Sequence, residues 1–539
     1  MSYYRDLREY LRTLEQRGKL VSIKSQVNKD TELMPLVRLQ YRGLPEEERQ
    51  AFVFDNMVDS RGRRYHTPVV VSALAGSSEI YGIGMMCPPE DIVEKLAKAQ
   101  LHPVKPRVVD EGPVQTEVHA GDTLLQHGGL DEFPIPISTP GYDVAPFFTA
   151  PCWVTKDPET GIRNVGTYRA QLKSPTTTGI DFMVKTRGGF IHWKKCKQRG
   201  IPLPAAIVVG GPPSIGYVST ASLPVDSDEF AFAGGIAREP LELVKCKTVD
   251  LEVPAQAEIV VEGEINTSEV EPEGPFGEAI GHISMTQPRP YFTVRCITHR
   301  PNPIWLAMIS QYPPSESSKI RQLSNESLVF KHLRYDLGME HVLAVACHEA
   351  VGSNRLWVVQ VRKTGQDEVW RTLEAVGNKH KLSKVIIAVD EDVDPQALEA
   401  VMWAVCHRVQ PHRDTRVVKY AATALVDCSL LPNERLAQLR EEVSPEMPTS
   451  SRIFINATMQ WAYPPVSLPK EEFMQKDLEL WQKEGLPTLK LKEPWWGRDL
   501  GYWSETDETN ARRAVCGEYY QTGKIQAQMR RPTSGELRE

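Results

Sequence analysis

Three carboxylates crowd into one short segment, Glu271-Pro-Glu273-Gly-Pro-Phe-Gly-Glu278. Its two prolines restrict the backbone and its two glycines allow sharp turns, so two of the carboxylates can be aimed at one point. Two carboxyl groups in one pocket cannot both ionise freely, and one of them is then able to donate a proton. The alternative is a solvated acidic turn, although such a turn would not need the apolar Phe276 at its centre.

Upstream of this loop, the run Asn164-Val-Gly-Thr-Tyr-Arg169 combines an amide with a guanidinium. The pattern predicts one strand over 164–173, and Arg169 offers a planar fork that can bind a substrate carboxylate. Strand alternation would place Asn164 and Arg169 on opposite faces, so a bulge or the end of the strand is required if both serve one site. Taken alone, Arg169 is also typical of a surface arginine.

Two further residues complete a set of metal donors. His192 lies within a predicted helix over 187–198, and Glu229 follows Asp226-Ser-Asp at a predicted helix start. Together with Asn164 they offer an imidazole, a carboxylate and an amide oxygen, which suit Mg²⁺ or Mn²⁺. With phosphate oxygens added, the set can clamp a phosphorylated cofactor. Each residue alone has a simpler interpretation, a packed histidine in one case and a helix start in the other.

The first 317 residues of the 539-residue chain divide into two regions of different pattern, and the second region carries the candidate residues. Residues 1–110 open with a helix that has one apolar face, and strands and another helix follow, which indicates a small α/β unit. Residues 111–317, where the candidate residues lie, carry short strands separated by Pro/Gly turns, as in a β-barrel or packed sheet. The chain has 41 prolines, a surplus that indicates many fixed loops.

The pattern of the remaining residues predicts a domain that makes oligomers, followed by a C-terminal tail. Strands and helices alternate over 318–465, which is typical of an α/β domain that serves as a scaffold or makes oligomers. Residues 466–539 form a charged tail rich in tryptophan, in which Ser504 is expected to cap a helix over 505–520. The predicted fold class is therefore a multidomain combination of α+β and α/β units.

Composition and spacing exclude several classes of protein. The formal net charge of −7 argues against a nucleic-acid-binding protein, which needs a basic surface. The longest uncharged stretch, 201–225, contains five prolines, so no segment is expected to span a membrane. The nine cysteines are scattered without a CxxC pair, which favours reduced thiols in a cytoplasmic protein. P-loop, complete dinucleotide-binding, HExxH and GxSxG motifs are absent from the sequence.

In combination and order, these motifs resemble the UbiD family of reversible, non-oxidative decarboxylases, which use prenylated FMN. The resemblance is carried by Asn164 to Arg169, His192, Glu229 and the loop Glu273-Gly-Pro-Phe-Gly-Glu278. It extends from about residue 5 to residue 465 and is clearest between 145 and 300. The family fold that it implies has a split β-barrel domain for the flavin and a C-terminal α/β domain that makes dimers or hexamers.

The resemblance also implies roles for individual residues. Arg169 and Glu273 would form an ion pair beside the isoalloxazine ring, and Glu278 would protonate the product carbon. A divalent ion (Mn²⁺, Mg²⁺ or Fe²⁺), with K⁺ nearby, would tie down the cofactor phosphate through Asn164, His192 and Glu229. The residues that would bind the cofactor are Asn164, Gly166, Thr167, Tyr168, Arg169, His192, Ser219, Thr220 and Glu229. A flavin prenyltransferase would supply the cofactor.

Two positions depart from the family pattern. Ile191 precedes the metal-site histidine, where many relatives have glutamine, and Arg452 is aligned with a lysine that often approaches the cofactor. Aryl carboxylates are the usual substrates of the family. The tail holds six Lys/Arg against three Glu over 509–539 and resembles that of phthaloyl-CoA decarboxylases. Such a tail can receive an anionic aryl-CoA substrate, and the alternative is that it packs on a neighbouring subunit.

Two other classes of function fit subsets of these residues. A metal-dependent hydrolase would use Asn164, His192 and Glu229 without flavin, whereas a non-catalytic flavin-binding protein would have no use for Glu278. Decarboxylation of an aromatic acid accounts for all of the motifs, because the negative charge left on an sp² carbon requires an electron sink and an acid.

Overall fold

A computed structural model describes residues 2–182, 187–420, 427–430 and 450–531 of the chain. The described helices of eight residues or more are Leu7–Gln16, Leu33–Gly43, Ser78–Met85, Ile92–Leu101, Gly188–Gln198, Pro213–Thr220, Glu229–Ala237, Glu316–Lys331, Gln366–Lys379, Leu398–Arg408, Glu471–Lys483, Glu505–Val515 and Tyr519–Gln528. None of these described helices combines the length and the apolar character that a membrane crossing requires.

The N-terminal region packs its helices against a four-stranded sheet. In spatial order its strands are Leu20–Ile23, Ala51–Phe54, Val69–Val71 and Trp305–Leu306. The first helix buries the apolar face that its spacing predicts, made of Leu7, Tyr10, Leu11 and Leu14. The edge strand Trp305–Leu306 pairs in parallel with Val69–Val71, so a segment from far along the chain completes this sheet.

The central region forms one large sheet that curls on itself. In spatial order its strands are Arg163–Thr167, Cys152–Lys156, Leu203–Val209, Ile259–Ile265, Tyr291–His299, Thr177–Gly179, Ala170–Ser174 and Phe147–Phe148, with Glu117–Ala120 also paired to Tyr291–His299. Arg163–Thr167 and Ala170–Ser174 lie near opposite ends of this order, yet only Tyr168 and Arg169 join them. Three Cα–Cα steps reach at most about 11 Å, so the two edges must approach each other. This curled sheet is the predicted split β-barrel.

The prediction of a single strand over 164–173 is therefore wrong. The chain leaves the sheet after Thr167 and re-enters it at Ala170, on a different strand position. Barrel closure, rather than any local breaker residue, divides the segment. The strand end required for Asn164 and Arg169 to serve one site is present, because Arg169 lies just beyond the end of Arg163–Thr167.

The C-terminal region is an α/β unit around a five-stranded sheet. Its strands, in spatial order, are Val342–Cys347, Leu356–Val361, Val385–Asp390, Ser450–Asn456 and Thr415–Tyr420. Helix Gln366–Lys379 packs on one face through Val369 and Leu373, and helix Leu398–Arg408 packs on the other through Val401. The sheet is thus buried on both faces, as expected for an α/β unit.

The tail is helical but buries none of its helical side chains. Helices Glu471–Lys483, Glu505–Val515 and Tyr519–Gln528 contain no buried residue. Ser504 caps the second of these, since its hydroxyl accepts a hydrogen bond of 3.1 Å from the backbone N–H of Asp507. The predicted helix over 505–520 is shorter than expected, because Gly517 adopts a left-handed conformation (φ 79°) that ends it.

The buried face of the first helix gives a test of the N-terminal packing. Leu14 is fully buried, so Leu14→Ala should lower the free energy of unfolding by about 2–5 kcal/mol through lost contacts and a cavity. Leu39→Ala is the matched control because Leu39 is 71% exposed, and it should change that free energy by no more than about 0.5 kcal/mol. Denaturant unfolding followed by circular dichroism measures both, and equal losses would contradict the packing described.

Candidate active site

Arg169 occupies the short link that closes the barrel. The indole Nε1 of Trp153 donates a hydrogen bond of 2.7 Å to the carbonyl of Tyr168 and so fixes this link. The Tyr168 ring folds back over Gly166, where a Cβ atom would lie only 2.5 Å from the ring. Any larger residue at position 166 would displace the Tyr168 ring, which lies one position before Arg169.

Three carboxylates surround the Arg169 guanidinium. Glu273 accepts two hydrogen bonds from it, 3.0 Å from Nε and 2.7 Å from Nη2. Glu278 Oε1 accepts a hydrogen bond from Nη1, and Asp181 Oδ2 lies 3.1 Å from Nη2. The bidentate pair with Glu273 is the ion pair that the sequence resemblance implies, and it places Arg169 between the first and last carboxylates of the Glu273–Glu278 loop.

Burial and the neighbouring carboxylates have opposite effects on the pKa of Arg169. Removal from water disfavours the charged guanidinium, but the hydrogen bonds that Arg169 donates to Glu273 and the charges of Glu278 and Asp181 outweigh this effect and raise the pKa of Arg169 above its ordinary value. The Phe276 ring adds a cation–π contact, with its centroid 5.2 Å from the guanidinium carbon. Arg169 is therefore a fixed positive charge in a mostly buried position.

The acidic loop is not a solvated turn. Two small hairpins hold it, one pairing Glu271–Glu273 with Gln287–Arg289 and the other pairing Phe276–Gly277 with Ile283–Ser284. Glu273 is fully buried, and Phe276 is 4% exposed and packs on Phe147 at a ring separation of 4.7 Å. The loop is thus anchored by an apolar centre, and Glu278 remains partly exposed at its end.

The predicted metal donors cluster around the other end of strand Arg163–Thr167. Asn164 pairs across the sheet with Thr155, and the Thr155 hydroxyl lies 2.9 Å from His192 Nδ1. The carboxylate of Glu229 accepts a hydrogen bond of 2.9 Å from the N–H of Val165. At Gly188, four residues before His192, an added Cβ would lie 2.2 Å from Asn164 Oδ1. These contacts bring Asn164, His192 and Glu229 to one location.

The chemistry of this donor set fits a divalent cation. Burial lowers the pKa of His192 to about 4, so its imidazole is neutral and its lone pair is available to a metal. Burial raises the pKa of Glu229 to about 8 although the charge of Arg187 opposes it, which means that the ionised form lacks a full compensating charge. A cation bound beside Asn164 Oδ1 would supply that charge, and oxygen and imidazole ligands suit Mg²⁺, Mn²⁺ or Fe²⁺.

The remaining predicted cofactor residues lie beside the same strand. The hydroxyls of Thr167 and Ser219 are 2.8 Å apart and line a small cavity together with Gly210 and Gly211. The Thr220 hydroxyl instead donates to the Tyr217 carbonyl at 2.9 Å, within its own helix. Arg452 lies on strand Ser450–Asn456, where its Nη2 donates to the carbonyl of Lys381 at 3.4 Å.

Two acidic residues of the site have no signature in the sequence. Asp181 bridges Arg169 to Arg289, whose Nε lies 2.8 Å from Asp181 Oδ1. Asp143 accepts a hydrogen bond of 3.1 Å from the N–H of Gly277, and burial raises its pKa to about 6. Asp143 thus touches the backbone next to Glu278. Neither residue belongs to a recognisable motif, so they are identified only from their contacts in the folded chain.

Arg321 is the third residue that sequence reasoning missed. It lies on helix Glu316–Lys331, one turn after Ser317, whose hydroxyl contacts that of Ser310 at 3.1 Å. Gln311, which follows Ser310 in the chain, packs against Gly277 of the acidic loop. This face of the helix therefore turns toward the acidic loop, and the charge of Glu278 acts on Arg321. No hydrogen bond or ion pair to Arg321 is found within the described residues.

Three family models together match most of the chain. Residues 107–313 match the model of the 3-octaprenyl-4-hydroxybenzoate carboxy-lyase Rift-related domain. Residues 11–100 and 320–457 match the N-terminal and C-terminal domains of the same enzyme family. The chain belongs to the UbiD family. It is accordingly a carboxy-lyase with the multidomain UbiD fold.

Solved UbiD-class structures resemble the chain over most of its length. One is an evolved dimeric form of HmfF from Pelotomaculum thermopropionicum in complex with prFMN, with TM-score 0.74 and 29% identity over 87% of this chain and 98% of that one. Another is vanillic acid decarboxylase from Sedimentibacter hydroxybenzoicus in a closed form, with TM-score 0.76 and 26% identity over 89% and 99% of the two chains. An uncharacterized protein of Archaeoglobus fulgidus is 30% identical over 80% of this chain and 90% of its own.

The buried ion pair of the UbiD site predicts a large loss of stability when it is broken. Arg169→Ala would leave Glu273 as an unpaired buried carboxylate and should lower the free energy of unfolding by about 3–5 kcal/mol. Lys173→Ala is the control, since Lys173 pairs with Glu271, which is 41% exposed, and should cost less than about 1 kcal/mol. Both are measured by denaturant unfolding. A cost for Arg169→Ala no greater than that of the control would show that Glu273 needs no partner.

Proposed function

We propose that this UbiD-family protein is a reversible, non-oxidative decarboxylase of an aromatic carboxylic acid that uses prenylated FMN. The observation that carries the proposal is the contact of one guanidinium, Arg169, with Glu273 and Glu278 at the edge of the split barrel. The HmfF structure in complex with prFMN supports the choice of cofactor. The vanillic acid decarboxylase structure supports the choice of substrate class.

The proposed chemistry divides between the cofactor and three side chains. The cofactor supplies an electron sink for the charge that decarboxylation leaves on an sp² carbon. Arg169 orients the substrate carboxylate, and Glu273 holds Arg169 in place. Glu278 delivers the proton to the product carbon, a role for which its partly exposed position at the end of an anchored loop is suited. In the reverse direction Glu278 accepts that proton.

The second part of the proposal concerns the phosphate end of the cofactor. Asn164, His192 and Glu229 would hold a divalent ion (Mn²⁺, Mg²⁺ or Fe²⁺) that binds the phosphate, with K⁺ nearby. Gly166, Thr167, Tyr168, Ser219 and Thr220 would line the cofactor. The buried Glu229 carboxylate and neutral His192 imidazole support this assignment. A flavin prenyltransferase is the proposed partner that supplies the cofactor.

The assembly and the exact substrate complete the proposal. We propose a homo-oligomer, dimer or hexamer, and the tail supports it, because Leu480, Tyr502 and Tyr520 are at least half exposed and suit burial against another subunit. The substrate is an aryl carboxylate or an aryl-CoA carboxylate. Arg321 favours a substrate that carries a second anionic group, since this cation faces the acidic loop and is not paired within the described residues.

The proton donor is tested on protein co-expressed with a flavin prenyltransferase. The visible spectrum and the mass of the bound ligand should identify prenylated FMN. Glu278→Gln should keep that ligand yet lose decarboxylation and hydrogen–deuterium exchange on a panel of aromatic acids, by at least about a thousandfold. Glu271→Gln is the control from the same loop and should retain activity. Turnover in flavin-free protein would favour a metal-dependent hydrolase, and flavin without any turnover a binding protein.

Arg321 gives a separate prediction about specificity. In Arg321→Gln, kcat/KM for benzene dicarboxylates should fall at least about tenfold relative to that for benzoates, because a charged hydrogen bond contributes on the order of 1.5–3 kcal/mol. Arg362→Gln, on the surface of the C-terminal region, is the control. An unchanged ratio in Arg321→Gln would remove the second anionic group from the proposed substrate while leaving the decarboxylase assignment intact.

A further inference from the structure

A cluster of three imidazoles and one carboxylate lies outside the residues assigned above. His119 belongs to strand Glu117–Ala120, and His299 ends strand Tyr291–His299, which pairs with it. His127 follows the short helix Asp122–Gln126, and Glu132 lies in the turn Gly129–Glu132. Four separate elements thus contribute one side chain each to one place at the rim of the central sheet.

The polar atoms of the cluster are spaced like metal ligands. Glu132 Oε2 lies 3.1 Å from His119 Nδ1, and Glu132 Oε1 lies 3.5 Å from His299 Nε2. The rings of His119 and His127 stack at 3.7 Å, and one ligand atom from each of His119, His127 and Glu132 lies within 4.8 Å of the others. Tetrahedral ligands at about 2.0–2.1 Å from an ion are about 3.3 Å apart. The two contacts of Glu132 are close to that spacing already, and the His127 ring would turn out of its stack on His119 to direct a lone pair at the ion.

His299 is prepared to act as a ligand. Its Nδ1 lies 2.8 Å from the carbonyl of Arg300 and therefore carries the proton, which leaves the lone pair on Nε2. The residue is only 6% exposed, and Nε2 makes no hydrogen bond with any of the described residues although it faces Glu132. A histidine held by a backbone carbonyl through one nitrogen, with the other left open, is how metal-binding imidazoles are oriented.

We propose that His119, His127, Glu132 and His299 bind a divalent transition-metal ion of the Zn²⁺ class. Three imidazoles and one carboxylate are borderline nitrogen and oxygen ligands, which favour Zn²⁺, Co²⁺ or Ni²⁺ over Mg²⁺ or Ca²⁺. Four protein ligands would close the coordination sphere, so the site is structural. The exposed His127 provides the path by which an ion enters.

The position of the cluster indicates what the ion would stabilise. Phe133, the residue after Glu132, meets His299 edge to face at 5.9 Å and stacks on Trp305 at 5.7 Å. Trp305 belongs to the edge strand of the N-terminal sheet. A metal ion at the cluster would therefore fix the rim of the barrel against the N-terminal region. Without a metal, the same residues would form an ion pair between Glu132 and a protonated His299.

The experiment titrates flavin-loaded, manganese-loaded full-length protein with ZnCl₂. We expect one additional zinc per chain after gel filtration, nitrogen-rich zinc coordination by X-ray absorption, and a higher thermal midpoint. His127→Ala should weaken zinc binding at least about tenfold without unfolding the protein, since His127 is exposed. Glu132→Gln should do the same, and the exposed His102→Ala should not.

The outcomes separate the metal site from its alternative and from the flavin site. Zinc stoichiometry and affinity in His127→Ala and Glu132→Gln equal to those of the wild type would overturn the proposal. The proposal would also be overturned in favour of the ion pair if the wild type did not bind zinc tightly and if Glu132→Gln changed only the pH dependence of the thermal midpoint. The Glu229→Gln variant, which changes the proposed cofactor metal, should keep the additional zinc.

Discussion

The buried charge of Arg169 is the constraint on which the active site depends. A guanidinium and the fully buried Glu273 each require the other, because either one alone would be an uncompensated charge in a dry environment. The link that carries Arg169 and the hairpin that carries Glu273 must therefore be held in the one relative position, or register, that allows this contact. The close approach of the Tyr168 ring to Gly166, the anchoring of the Tyr168 carbonyl by Trp153 and the apolar contact of Phe276 all serve that register.

The same strand sets the length of the site. Asn164 and Arg169 stand five positions apart on a segment that is extended up to Thr167, which separates their Cα atoms by at most about 18 Å. On the proposed function, the metal and phosphate end of an elongated cofactor lies at Asn164, and the reacting ring lies at Arg169. On the same proposal, barrel closure after Thr167 would direct both side chains toward one ligand, although strand alternation alone would place them on opposite faces.

Local patterns predicted the elements of the fold more completely than the site. The apolar spacing of Leu7 to Leu14 and the β-branched runs of the C-terminal sheet act within a few residues, so the sequence alone was sufficient for them. The break at Tyr168 and Arg169 was predicted only on the condition that Asn164 and Arg169 serve one site, because both residues are acceptable in a strand and the break results from closure of a sheet of many strands. Asp181, Asp143 and Arg321 likewise join the site only through contacts made in the folded chain.

The balance of charge around the acidic loop bears on how an anionic substrate would bind. Among the groups joined by ion pairs, the three carboxylates of Glu273, Glu278 and Asp181 outnumber the two guanidinium groups of Arg169 and Arg289, and Arg321 adds a third positive charge nearby. On the proposed function, an aromatic carboxylate that enters this cluster adds a further negative charge beside Arg169. Arg321 would offset the charge of a second anionic group, and the substrate could then bind without displacing Glu273 from Arg169.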